Sequence, residues 1–390
     1  MAATAISGRV TRLREAPAAA AVPWYVWCSV LAVSSVMLGA HWDISWHSSI
    51  GRDTFWTPAH IAIYMCGVLA GVAFGYLILA TTFSRSAPLA ESSVRIWGFR
   101  APLGAFIASW GGIAMLTSAP FDNWWHDAYG LDVKIISPPH ILLFVGAYAV
   151  LLGTLVLIAG HMNRALASAA PFRWLFLYVG GITMVLGMVV LMELTSRVLL
   201  HNALPYILVS IPAPIIMAVN SRATGVRFAA TFVAGFYSLF LIGLILVLPL
   251  FPAQPKLGPV YQPVTHFIPP QFPLLLLVPA FALDLFWQRT ASWGKWKVAI
   301  SSAVLFVGLL LAAEWPFASF LMSGASRNRF FGTMYFPYGV PTDSYTFRGL
   351  FYRTDTPAQF LAGIAIAVVV CTLTIRFGIS RGEWMRTIRR

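Results

Sequence analysis

Charge is what this sequence has least of. Only 10% of its 390 residues are Asp, Glu, Lys or Arg, where a water-soluble domain carries roughly a quarter. Acids are the scarcest, 13 against 26 basic residues. That shortage excludes a string of soluble domains joined by linkers. Cysteine is nearly as rare. Cys28, Cys66 and Cys371 lie in apolar segments and none belongs to a CxxC, which excludes a disulfide framework or a thiolate zinc site. They read as small buried hydrophobes. No Walker A, HExxH, GxSxG or dinucleotide-binding fingerprint occurs. The net charge of +13 has no Lys/Arg stripe interleaved with aromatics, so nucleic acid is not an expected partner.

In place of charge the chain has long apolar runs. Hydrophobic residues make up 59% and mean hydropathy is +0.77. A membrane-crossing helix needs about 20 apolar residues, and runs near that length fall at 23–41, 57–82, 101–119, 137–160, 172–193, 205–220, 228–251, 271–287, 298–314 and 358–378. The expected fold is all-α: a polytopic transmembrane bundle of about ten helices. The N-terminal Arg9, Arg12 and Arg14 followed by an apolar run from Pro23 imitate a signal peptide. The run continues straight into His41 and Asp43, so it reads as a retained first helix.

On this topology the basic residues divide unevenly between alternate connecting segments, 18 against 8. The positive-inside rule then puts both termini in the cytoplasm of a bacterial-type inner membrane. Seven of the eight histidines, all but His161, and nine of the thirteen acids fall at the outer face. Three regions follow: a tail over 1–22, a four-helix region over 23–165, and further helices over 166–390 with a long outer loop near 316–356.

The four-helix region holds an internal repeat. His41-Trp42-Asp43-Ile44-Ser45-Trp46-His47 is followed by Gly51-Arg52-Asp53 and Thr57-Pro58-Ala59-His60. Phe121-Asp122-Asn123-Trp124-Trp125-His126 is followed by Gly130-Leu131-Asp132 and Ser137-Pro138-Pro139-His140. Each copy reads Asp-x-x-aromatic-His, Gly-x-Asp, then Ser/Thr-Pro-x-His opening the next apolar helix. Fainter echoes at Leu204-Pro205-Tyr206, Pro269-Pro270-Gln271 and Thr356-Pro357-Ala358-Gln359 have lost the histidine. A two-helix unit reused in one orientation is a known membrane architecture.

The repeat carries chemistry. Asp43 and His47 are four apart, one turn along one helix face, and a tight hairpin brings His60 across to them. Asp122, His126 and His140 form the matching set. Two imidazoles and a carboxylate with open positions suit non-haem iron, copper or zinc. His41, Arg52, Asp53, Asp127 and Asp132 are candidates to orient the ligand imidazoles from behind. The competing reading is structural, with interfacial helix ends whose acids pair with Arg52 or cap helices. Trp42, Trp46, Trp124 and Trp125 fit an aromatic belt at the interface or a shield around the sites. His201, Glu193, Arg197, His266 and Glu314 read as ordinary outer-face residues.

Asp43, His47 and His60, with Arg52-Asp53 and Thr57-Pro58 between them, resemble the metal-binding segment found in the helical, copper-binding membrane component of the copper membrane monooxygenases (particulate methane and ammonia monooxygenase). That segment binds copper through an Asp, a His four on and a His thirteen beyond. The family's second site is an Asn, a His four on and a His fourteen beyond. Asp122, His126 and His140 match it with Asp in place of Asn. The likeness covers about residues 25–160. It implies a copper-binding component of a monooxygenase-like system that oxidises a small substrate with O2. It also implies partners: other membrane or periplasmic subunits of an oxidase complex, or further copies of this chain, besides the lipid bilayer. A metal transport or delivery protein, and a non-catalytic structural subunit, are the alternatives that stay open.

Overall fold

The computed structural model describes residues 21–51, 54–83, 92–130, 136–165, 169–256, 264–335 and 354–390. The N-terminal tail, Arg52, Asp53, Asp132 and most of the long loop, including Asp343 and Arg348, lie outside them.

The expected all-α bundle is what the chain forms, with nine described helices long and apolar enough to cross a membrane. Two helical hairpins lead. Helix α1 (Trp24–Ser49) turns into α2 (Pro58–Phe83), and α3 (Leu103–Tyr129) into α4 (Pro138–Ala165). Pro58 and Pro138 each open a helix, where a missing N–H costs nothing. A short antiparallel ribbon joins the hairpins, β1 (Val94–Ile96) against β2 (Phe99–Ala101). Its turn holds Trp97 and Gly98 at positive φ, 50° and 86°, as a tight hairpin turn requires. Helices α5 (Ala170–Val189), α6 (Ala203–Val209), α7 (Pro212–Thr224), α8 (Ala229–Val247), α9 (Leu277–Arg289), α10 (Lys295–Leu321) and α11 (Pro357–Met385) complete the bundle. Outward faces carry Leu31, Val68, Val72, Leu79, Ile113 and Val145, the surface that lipid accepts.

Within each hairpin the two helices touch backbone to backbone. A Cβ on Gly104 would collide with the Gly153 carbonyl oxygen, and one on Gly111 would lie 2.6 Å from that of Gly146. One on Gly39 would lie 2.7 Å from Ile63 N and 2.9 Å from the Ala59 oxygen. Where lipid is as apolar as leucine, close van der Waals packing through small residues holds helices together. Gly111→Val is therefore expected to force α3 and α4 apart and destabilise the protein by about 1–3 kcal/mol, the usual range for overpacking. Gly112→Ala, with open space around it, should be neutral. Thermal unfolding in detergent checks both.

Two sequence boundaries need correction. Helix α10 runs on through Pro316 to Leu321, so the long loop starts near 322 and not 316. The apolar segment 271–287 is not a continuous helix. Residues 264–276 are extended or turning, and only the 13 residues of α9 are helical, about 20 Å of rise against a hydrocarbon thickness of about 30 Å.

This segment still runs the height of the bundle. At one end, Ile268 N–H donates to Ser49 Oγ (2.8 Å) and Ser45 Oγ–H donates to the Ile268 carbonyl, beside the motif end of α1. At the other, Asp284 accepts from the backbone N–H groups of Ala230 and Thr231 and from the Thr231 hydroxyl, capping the start of α8. At the break, Leu274 N–H donates to Tyr237 Oη and Leu275 N–H to Glu314 Oε1. Non-helical backbone at membrane depth survives only where protein satisfies it. Glu314, read from sequence as an ordinary outer-face residue, is 1% exposed and supplies that satisfaction.

Candidate metal centre

Helix α1 stays helical through Ser49, so Asp43 and His47 share one face as their spacing dictates. Helix α2 begins at Pro58 and delivers His60 in its first turn. The Asp43 carboxylate stands between the imidazoles, with His60 Nε2 3.3 Å from Oδ1 and His47 Nε2 3.8 Å from Oδ2. The second copy repeats the arrangement: His126 Nε2 is 3.4 Å from Asp122 Oδ2 and His140 Nε2 3.5 Å from Oδ1. All six predicted ligands are thus assembled into two trios, each centred on its carboxylate. Their side chains are 13–30% exposed.

The Ser/Thr of each motif positions the second imidazole. Thr57 Oγ1 accepts from His60 N–H and Ser137 Oγ from His140 N–H, both at 3.4 Å. His60 Nδ1 lies 3.0 Å from the Thr54 carbonyl oxygen. A carbonyl can only accept, so Nδ1 carries the proton. In the neutral ring Nε2 is then a lone pair facing a carboxylate. Asp43 Oδ1 is buried and, among the described residues, accepts no hydrogen bond. Two electron-pair donors held face to face need a cation between them, either a proton that makes an imidazolium or a metal ion.

The gaps, 3.3–3.8 Å, are longer than charge-assisted hydrogen bonds. Charge-assisted N–H···O bonds are about 2.7–2.9 Å long. Donors about 2.0–2.1 Å from one ion stand about 3.4 Å apart in a tetrahedral set. Among the described residues, no group of three or more His, Cys, Asp or Glu side chains is placed so that it could hold a metal ion.

Both trios open onto one crevice enclosing about 370 Å³ with its mouth. Asp43, His60, Asp122 and His140 line it, together with Tyr64 and Ser118. Tyr64 also faces the His60 ring at 6.0 Å and packs against Phe55 and Trp56. Sequence reasoning missed Tyr64, Phe55 and Ser118; only their places beside the motif marked them. Trp46 packs on Phe267 and Trp125 on Tyr129, while Trp124 is 53% exposed.

The predicted supporting residues fare differently. Asp127 accepts from Asn123 one turn back, at 3.4 Å. His41 turns away from the trio: its Nδ1 lies 2.9 Å from the Met37 carbonyl and its ring meets Phe240 edge-on. Arg52, Asp53 and Asp132 are outside the described residues. His201 bonds Ser319 Oγ at 3.0 Å. Arg197 is buried and lines a cavity with Glu314.

The fold and its apolar surface define the class: this is a membrane-spanning helical protein. Comparison with protein-family models, curated proteins and solved structures returns no match.

Proposed function

We propose that the chain is a copper-binding integral membrane protein acting within a monooxygenase-like oxidoreductase. One observation carries this reading: a duplicated Asp/His/His set whose carboxylate meets two imidazoles at donor–donor distances, with the protonated face of His60 turned away on Thr54. The residues fit copper, an imidazole-preferring ion, and also suit iron or zinc. Asp43, His47 and His60 would hold one ion, and Asp122, His126 and His140 a second or alternative one. Copper held there would supply one-electron chemistry with dioxygen. The protein's own part is to fix the imidazole tautomer through Thr54 and to align each trio through the Thr57 and Ser137 caps. Tyr64 covers the His60 ring and is itself backed by Phe55.

An apolar groove of about 840 Å³ lined by Phe144, Val145, Tyr148, Leu186 and Ile211 flanks α4. Another face of α4 presents His140 and Leu143 to the crevice. That supports a small apolar substrate arriving from lipid. A metal-handling role has its own support in the interrupted crossing at 264–289, the architecture that transporters use around ion sites.

The test is the metal content of protein purified in native lipid, compared with His47→Ala and His126→Ala. One or two copper ions per chain, lost trio by trio, is the expected result. Metal-free protein in every preparation, with unchanged stability of the variants, would leave the trios a structural feature.

A further inference from the structure

His41 is no part of the repeated trio. Its counterpart in the second copy is Pro120, and two residues along a helix from Asp43 it faces the far side of α1. There it lines a separate cavity of about 500 Å³, mouth included, bounded by α5, α8 and the extended chain at 270–274. The ring is buried, 6% exposed. Nδ1 is committed to the Met37 carbonyl, so in the neutral ring Nε2 bears the lone pair. Among the described residues no hydrogen-bond donor meets it, although Thr195, Tyr237 and Gln271 line the same cavity. A ring nitrogen on a cavity wall with no protein donor calls for an explanation of what the cavity holds.

The cavity offers one. Met188, near the end of α5, and Met192, one turn on, also line it. Thioethers add nothing to the recognition of a polar organic ligand by hydrogen bonding, but they are soft ligands that select copper(I). A ligating histidine typically donates its other ring N–H to a carbonyl or carboxylate, as His41 does to Met37. The gap in the helical crossing at 268–276 is what leaves space for an ion beside α1.

We infer that His41, Met188 and Met192 form a binding site for a soft monovalent metal ion, copper(I) or silver(I), separate from the Asp/His trios. The site stands whether or not the trios hold copper. The ordinary reading of these residues, a core histidine beside two gap-filling methionines, predicts no ion.

The probe is silver(I), followed by copper(I) under anaerobic conditions, titrated into the full-length protein in mild detergent against a chromogenic copper(I) chelator. One equivalent should bind and persist in the Asp43→Ala/Asp122→Ala protein, so a failure of the trio proposal leaves this result untouched. Met188→Leu/Met192→Leu keeps volume and apolarity and should lower monovalent affinity by at least about 100-fold, with unchanged thermal unfolding. X-ray absorption of the loaded parent should show sulfur neighbours. Equal binding by the leucine protein, no monovalent equivalent in the parent, or an ion without sulfur neighbours would each overturn the site.

Discussion

Asp43→Ala is expected to weaken copper(II) binding at the first trio by at least about 100-fold, a floor set by losses seen on removing mere supporting partners. The stability of the metal-free protein should change by no more than about 1 kcal/mol. Both halves follow from the geometry. The carboxylate reaches both imidazoles, at 3.3 and 3.8 Å, so its loss breaks the set at its centre. In the metal-free protein the same contacts are partly exposed and longer than good hydrogen bonds, and such ion pairs contribute only about 0.2–1 kcal/mol. Copper at a hundredfold excess over its Kd stabilises the folded state by about 2.7 kcal/mol. Unfolding midpoints with and without copper therefore separate the two readings. The parent should gain stability on copper addition, and Asp43→Ala should lose most of the gain at that site. A purely structural trio shows no response to copper in either the parent or the variant.

The trios were legible because helix periodicity and a proline flag converge on them. A four-residue spacing fixes Asp43 and His47, and Asp122 and His126, to one face. Thr57-Pro58 and Ser137-Pro138 announce helix starts and so place His60 and His140. What escaped the sequence depended on orientation and on distant partners. His41 sits two residues from Asp43, close along the chain but about 200° around the helix, so proximity misassigned it to the trio. The interruption at 264–276 escaped because its apolar residues look the same whether extended or helical. Glu314, which stabilises it, acts on backbone 39 residues away, and Asp284 caps α8 from 53 residues away. By polarity alone Glu314 reads as an outer-face residue, and nothing in the sequence pattern singles out Asp284.

Those two acids yield the largest expected loss of stability. Asp284 is 2% exposed and accepts three hydrogen bonds, from Ala230 N–H at 3.2 Å, Thr231 N–H at 2.8 Å and the Thr231 hydroxyl at 2.7 Å. Helix α8 has no side-chain cap of its own, so the α9 carboxylate takes the place of a local Ser or Asp. Each donor left unsatisfied away from water costs about 1–3 kcal/mol. Asp284→Ala is accordingly expected to destabilise by at least about 3 kcal/mol and to reduce the yield of folded protein sharply. Asp284→Asn keeps one acceptor oxygen and should recover part of the loss. Glu314→Ala strands Leu275 N–H at the break and should cost about 1–3 kcal/mol, whereas Glu314→Gln keeps an acceptor in place and should stay near the parent. Thermal unfolding of the four variants decides the matter through the pattern within each pair. If alanine and amide variants are equally stable, the acids do not hold the interrupted crossing through hydrogen bonds. If only the alanine variants fall, Glu314 replaces a helical bond that the extended chain at 264–276 does not make, and Asp284 holds α9 to the start of α8.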